Sequence, residues 1–102
     1  MEKKYSLLVV CGTGMGSSIM LKIQVDRVVK NNQLPLEVSS DLVSSAKGSN
    51  ADFFVCMNDL VSILEPLGRP IVGIKNIVSR EEILEGLKKQ IKAFQDQESG
   101  NL

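Results

Sequence analysis

The segment Val9-Val10-Cys11-Gly12-Thr13-Gly14-Met15-Gly16-Ser17-Ser18 joins an apolar run to a helical pattern through three glycines at alternate positions. Leu7 to Val10 are all apolar and end in two valines, which predicts a strand buried on both faces. From Ser17 to about Asn31, the residues Leu21, Val25, Val28 and Val29 recur at helical spacing. A strand that enters a glycine loop and then a helix offers backbone N–H groups and a positive dipole end to an anion. Cys11 stands at the mouth of that loop.

Outward from this segment the chain alternates strands and helices. Leu34-Pro35-Leu36-Glu37-Val38 reads as a second strand, its proline suited to a sheet edge or a strand start. Asp41 to Ala46 reads as a short helix capped by Ser40 or Asp41, and Lys47-Gly48-Ser49-Asn50 as a turn. Phe53-Phe54-Val55-Cys56-Met57 is the most apolar segment and a third strand, followed by Asn58-Asp59 as a loop or cap. A short helix to about Glu65 ends at Pro66 and Gly68, and Pro70 to Ile74 is a fourth strand. Ser79-Arg80-Glu81-Glu82 has the capping-box pattern, and Ile83, Leu84, Leu87, Ile91 and Phe94 then share one side of a helix. Residues 1–95 form a single domain on this reading, and the polar stretch 96–102 is expected to fray.

This alternation predicts an α/β fold of the Rossmann-like kind: an open four-stranded parallel sheet, order 2-1-3-4, with helices on both faces. In that order strands one and three are neighbours whose chains leave toward opposite sides, and ligands bind at such a switch point, outside the carboxyl ends of the strands. Cys11 and residues 57–59 therefore fall at one place.

Composition narrows the chemistry. The chain has 102 residues, with twelve Lys plus Arg against twelve Asp plus Glu. There is no basic excess to serve as a footprint for nucleic acid. No apolar run approaches a membrane span, and no signal peptide pattern precedes the first strand, so a cytoplasmic protein without direct membrane insertion is expected. Histidine is absent, which removes Cys–His and Ser–His–Asp catalysis by this chain alone. Two cysteines without histidine do not make a structural zinc site, so no metal or cofactor is expected.

A cysteine at the start of an anion cradle has a chemical use. Its thiolate is the nucleophile, and nearby helix N-termini lower its pKa. The same backbone N–H groups can then hold three phosphoryl oxygens. Other anion loops fit less well. The dinucleotide pattern G-x-G-x-x-G would need glycine where Ser17 stands. The phosphatase loop, a cysteine and five residues followed by arginine, would need arginine at that same position, and without it the bidentate clamp on phosphate is missing. A low-molecular-weight phosphatase or arsenate-reductase-like enzyme, and a non-catalytic phosphate-binding module, remain as alternatives.

The sequence resembles the IIB component of the bacterial phosphoenolpyruvate-dependent sugar phosphotransferase system, in particular the ascorbate-type branch of the lactose/ascorbate/galactitol-like IIB family. The resemblance is carried by Val10 to Ser18, Met20 to Asp26, Ala51-Asp52 and Val72 to Asn76. It implies that Cys11 accepts phosphate from a phosphohistidine on a cytoplasmic IIA protein and passes it to a sugar, L-ascorbate in that branch, held by a membrane IIC transporter. It also implies that Gly12, Thr13, Gly14, Met15, Gly16, Ser17 and Ser18 bind the phosphoryl group. Beside Cys11, Ile19, Met20 and Ile23 lie off the main apolar stripe of their helix, and with Asn58 they are candidates for partner docking. Cys56 reads as a core thiol, and Asp59 as a helix cap.

Overall fold

The computed structural model describes residues 4–11 and 17–100, with side chains for 4–10 and 20–97. The strands are β1 (Tyr5–Cys11), β2 (Leu36–Leu42), β3 (Phe53–Met57) and β4 (Ile71–Ile74). The helices are α1 (Ser17–Asn31), α2 (Val43–Ala46), α3 (Val61–Leu64) and α4 (Arg80–Gly100), with single 3₁₀ turns at Asn58–Leu60 and Glu65–Leu67. The four strands form one parallel sheet in the order β2-β1-β3-β4, as the alternation of elements predicts.

Both faces of the central strands are buried, which explains their unbroken apolar sequences. Leu7 and Val9 of β1, with Phe53 and Val55 of β3, face a core built by Leu21, Val25, Val28 and Val29 of α1 and Ile83, Leu87 and Ile91 of α4. Leu8, Val10, Phe54 and Cys56 alternate with them onto the opposite face, where Ala46 of α2 and Leu64 of α3 close a smaller core. Each fully buried aliphatic side chain contributes about 1.5–3 kcal/mol by leaving water. The α1 stripe is therefore enough to seat that helix.

Glycine allows two close approaches at β4. A Cβ on Gly73 would lie 2.8 Å from Cγ2 of Val61 and 3.1 Å from Oδ1 of Asn58, so the 58–61 segment rests directly on the strand. A Cβ on Gly86 would lie 2.7 Å from Cγ1 of Val72, so α4 is equally close on the other face.

Several boundaries differ from the sequence reading. β2 starts at Leu36 and not at Leu34, because the N–H of Leu34 donates to Val29 O (3.0 Å) and finishes α1. Gln33, with φ 51°, takes the left-handed position of that helix end, and its N–H donates to Lys30 O. β2 then continues through the polar Ser39, Ser40 and Asp41 to Leu42, which is in register with Cys11. Backbone pairing with β1 decides there, and apolar pattern does not. Neither Ser40 nor Asp41 caps α2; its cap position is Leu42, without a side-chain bond, and Asp41 Oδ1 accepts from the N–H of Leu42.

Asp59 is not a cap either, since the cap position of its 3₁₀ turn is Met57, again without a side-chain bond. β4 begins at Ile71; Pro70 contributes only its carbonyl, which accepts from Phe54 N–H (3.0 Å). Helix α4 runs on through the polar residues after Asp96 to Gly100, because its backbone ladder does not require an apolar face.

The amino ends of the strands are tied separately. Asp52 Oδ2 accepts from Ser6 N–H (2.9 Å), and Asp52 N–H donates to Ser6 O (2.8 Å). Arg69 donates to the carbonyls of Ser49 and Ala51 and lies over the Phe54 ring, 5.7 Å from its centroid.

Candidate functional site at the carboxyl edge of the sheet

β1 and β3 are paired from Leu7↔Phe53 to Val9↔Val55, and both run two residues further, to Cys11 and Met57. Met57 is in turn paired with Ile74 of β4. The ends of β1, β3 and β4 are thus level, and the chain leaves β1 into α1 on one face and β3 into the 58–64 turns on the other. This is the switch point expected from the strand order. Cys11 closes β1 there, and Ser17 and Ser18 open α1. Gly12, Thr13, Gly14, Met15 and Gly16 lie outside the described residues, as do the side chains of Cys11, Ser17, Ser18 and Ile19.

The described flank of the site has three parts. On α1, Met20 is 49% and Ile23 41% exposed, while the stripe at Leu21 and Val25 is buried. After β3, Asn58 is exposed and lies against Gly73. After β4, residues 75–79 form a loop that is hydrogen-bonded to both α1 and α4. Glu82 of α4 accepts from the N–H groups of Lys75 (2.8 Å) and Asn76 (2.9 Å). Asn76 Oδ1 accepts from Val78 N–H (3.1 Å). Gln24 of α1 donates through Nε2 to Ile77 O (3.3 Å) and accepts at Oε1 from Arg80 Nε (3.3 Å).

Only half of the capping box is therefore present. Ser79 Oγ accepts from Glu82 N–H (3.3 Å), as an N-cap does, but Ser79 N–H donates to Asn76 O and the Glu82 carboxylate turns to the loop. Those two backbone N–H bonds, that of Lys75 first, hold the Glu82 carboxyl below its ordinary pKa. The motif Ser-x-x-Glu signals a helix start in either case, so the sequence does not reveal which N–H groups the acid takes. Gln24 falls in the Met20 to Asp26 stretch that carries the resemblance, but its residue type and spacing gave it no role of its own.

Cys56 is fully buried in the smaller core. Burial first, and the charge of Asp59 second, push its thiol up to about 11. It is protonated at neutral pH, which leaves it a poor nucleophile.

A family model described as "PTS system, Lactose/Cellobiose specific IIB subunit" matches residues 6–89, which span every strand, α1 and the first half of α4. The chain belongs to the IIB family of the sugar phosphotransferase system. IIB components are phosphotransferases that relay a phosphoryl group through a phosphocysteine, and they work with a IIA protein and a membrane IIC protein. This membership does not favour the phosphatase and binding-module readings.

Among relatives of this IIB component is the ascorbate-specific PTS system EIIB component of Mycoplasma pneumoniae, 30% identical over 91 residues that cover 86% of this chain and 96% of that one. The protein of the same description from Escherichia coli O6:H1 is 30% identical over 90 residues, covering 85% and 89%. The lactose-specific IIB component domain from Streptococcus pneumoniae has the same fold, with a TM-score of 0.65 at 17% identity, over 85% of this chain and 97% of that one. Among the described residues, no helix is long and apolar enough to cross a membrane.

Proposed function

We propose that Cys11 is the phosphoryl-carrying residue of this IIB component. The observation that carries the reading is its place at the carboxyl end of a central strand, level with the end of β3 and six residues before α1 begins. A helix start that follows a strand end in this way favours an anion there, thiolate and phosphate alike. The sulfur attacks phosphorus, the P–N bond of the IIA phosphohistidine breaks as the P–S bond forms, and the imidazole keeps the electron pair. In the second step a sugar hydroxyl attacks, the P–S bond breaks, and the thiolate is regenerated. Gly12, Thr13, Gly14, Met15, Gly16, Ser17 and Ser18 hold the phosphoryl oxygens, with backbone N–H groups as the main donors.

Ile19, Met20, Ile23 and Asn58 border the place where each partner must approach, and the exposure of Met20 and Ile23 supports a docking role. The ascorbate-specific relatives support L-ascorbate as the acceptor sugar. A cytoplasmic location follows from the need to meet IIA.

Incubation with phosphoenolpyruvate, the upstream phosphotransferase proteins and IIA tests the assignment. Intact-mass spectrometry is expected to show one added phosphoryl group, mapped to Cys11 and absent from Cys11→Ser. Unlabelled wild-type protein, or labelled Cys11→Ser, would remove it.

A further inference from the structure

The contacts of residues 75–79 make a brace between the two long helices. Gln24 lies on α1 two turns after the helix begins, and its side chain is half-buried against the β4–α4 loop. It bonds that loop at Ile77 O and receives Arg80 from the first turn of α4. Glu82 fastens the same loop from the other side through Lys75 and Asn76. The apolar stripe beneath seats α1 on the sheet, but aliphatic contacts carry little directional preference. Hydrogen bonds are directional and fix α1 along its axis.

We propose that Gln24 is a positioning residue for phosphoryl transfer. With Glu82 behind the loop, it sets α1 so that the first turn, opened by Ser17 and Ser18, is correctly placed relative to Cys11. This rests on the assignment of Cys11 and residues 12–18 made above. Transfer demands placement to within a fraction of an ångström, so a loosened brace affects the step inside the complex and leaves encounter with the donor alone.

The informative substitution is Gln24→Met, which keeps side-chain length and helix propensity and removes both hydrogen bonds. Single-turnover transfer from phosphorylated IIA is measured over a range of donor concentrations. The expected result is a saturating rate about tenfold lower, equivalent to about 1.4 kcal/mol of lost transition-state placement. The half-saturating donor concentration should stay within about twofold of wild type, because a placement defect leaves donor binding intact. Glu82→Gln should lower the same rate, and the double variant should lose less than the product of the two effects, since both act on one loop.

A full saturating rate for Gln24→Met overturns the inference, and so does a loss confined to half-saturation. If wild type is labelled on Cys11 while Gln24→Met is unaffected, the brace alone is refuted. If wild type is not labelled on Cys11, the site assignment fails and this inference fails with it.

Discussion

The carboxylate of Glu82 spans two successive backbone N–H groups, those of Lys75 at 2.8 Å and Asn76 at 2.9 Å, and so joins the first turn of α4 to the end of β4. These bonds are stronger to the ionised acid, with both oxygens accepting, which is why its folded pKa lies below the ordinary value. The stabilisation is complete above the unfolded carboxyl value of about 4.3 and is lost as pH falls through the folded one. Urea unfolding should show a higher midpoint for wild type than for Glu82→Gln at pH 7. The difference should shrink as pH falls through the depressed folded value and vanish once the acid is protonated in both states. Curves parallel at all pH values would show that the bonds do not depend on charge.

Gln33 holds a left-handed conformation, φ 51°, at the end of α1. A side chain there costs roughly 1–2 kcal/mol, while glycine costs about 0.5–1 kcal/mol in unfolded-chain entropy. Gln33→Gly should therefore gain about 0.5–1 kcal/mol, seen as a melting temperature higher by roughly 4 °C. Gln33→Val, β-branched in the same conformation, should melt below wild type.

Gly73 lets the 58–61 segment rest on β4. Gly73→Ala places a methyl 2.8 Å from Val61 Cγ2. The expected cost is about 1–3 kcal/mol, from overpacking against a stiff branched side chain. Adding Val61→Ala should recover part of it, and a double-mutant cycle in denaturant reads the coupling.

Phe94 is half-buried, its ring stacked on Tyr5 at 5.0 Å between centroids and tilted against Phe53 at 5.8 Å. Phe94→Ala should destabilise the fold by about 2–3 kcal/mol, somewhat less than the roughly 3–5 kcal/mol for a fully buried aromatic, because the ring is only half-buried. Phe94→Leu should retain most of the stability. Equilibrium unfolding monitors both.

Thiol alkylation at pH 7 separates the two cysteines. Cys56, with its thiol pushed up to about 11 and fully buried, should react only in denaturant. Wild type should take up one equivalent of iodoacetamide when native and two when unfolded, and Cys11→Ser none and then one. Rapid native labelling of Cys56 would contradict its place in the core.

The sheet was legible in the sequence because its central strands are buried on both faces. Leu7 to Val10 and Phe53 to Met57 have no polar interruption, and the alternation of elements implies the strand order. The stripe Leu21, Val25, Val28 and Val29 is buried as its spacing predicts. Legibility ended where backbone geometry decides. Ser39, Ser40 and Asp41 carry no strand pattern, yet β1 pairs with them as far as Leu42. Glu82 fits a capping box, yet a loop six and seven residues upstream offers its N–H groups in a better position. Cys11 was singled out by its chemistry and falls at the carboxyl edge of the sheet, where such chemistry is placed. Gln24 bonds a carbonyl 53 residues away and an arginine 56 residues away, contacts that no local pattern encodes.

The sheet has a heavy side and a light one. Long α1 and α4 cover one face, while the other is closed by two helices of four residues each. Local opening is cheapest where the least apolar surface is covered, so amide exchange should be faster in 43–46 and 58–67 than in α1 or the first half of α4. The two walls of the site belong to different sides: the start of α1 to the heavy one, Asn58 and its neighbours to the light one. The two walls of the candidate site are therefore expected to differ in local stability, and amide exchange compared between 58–61 and 20–25 reads that difference.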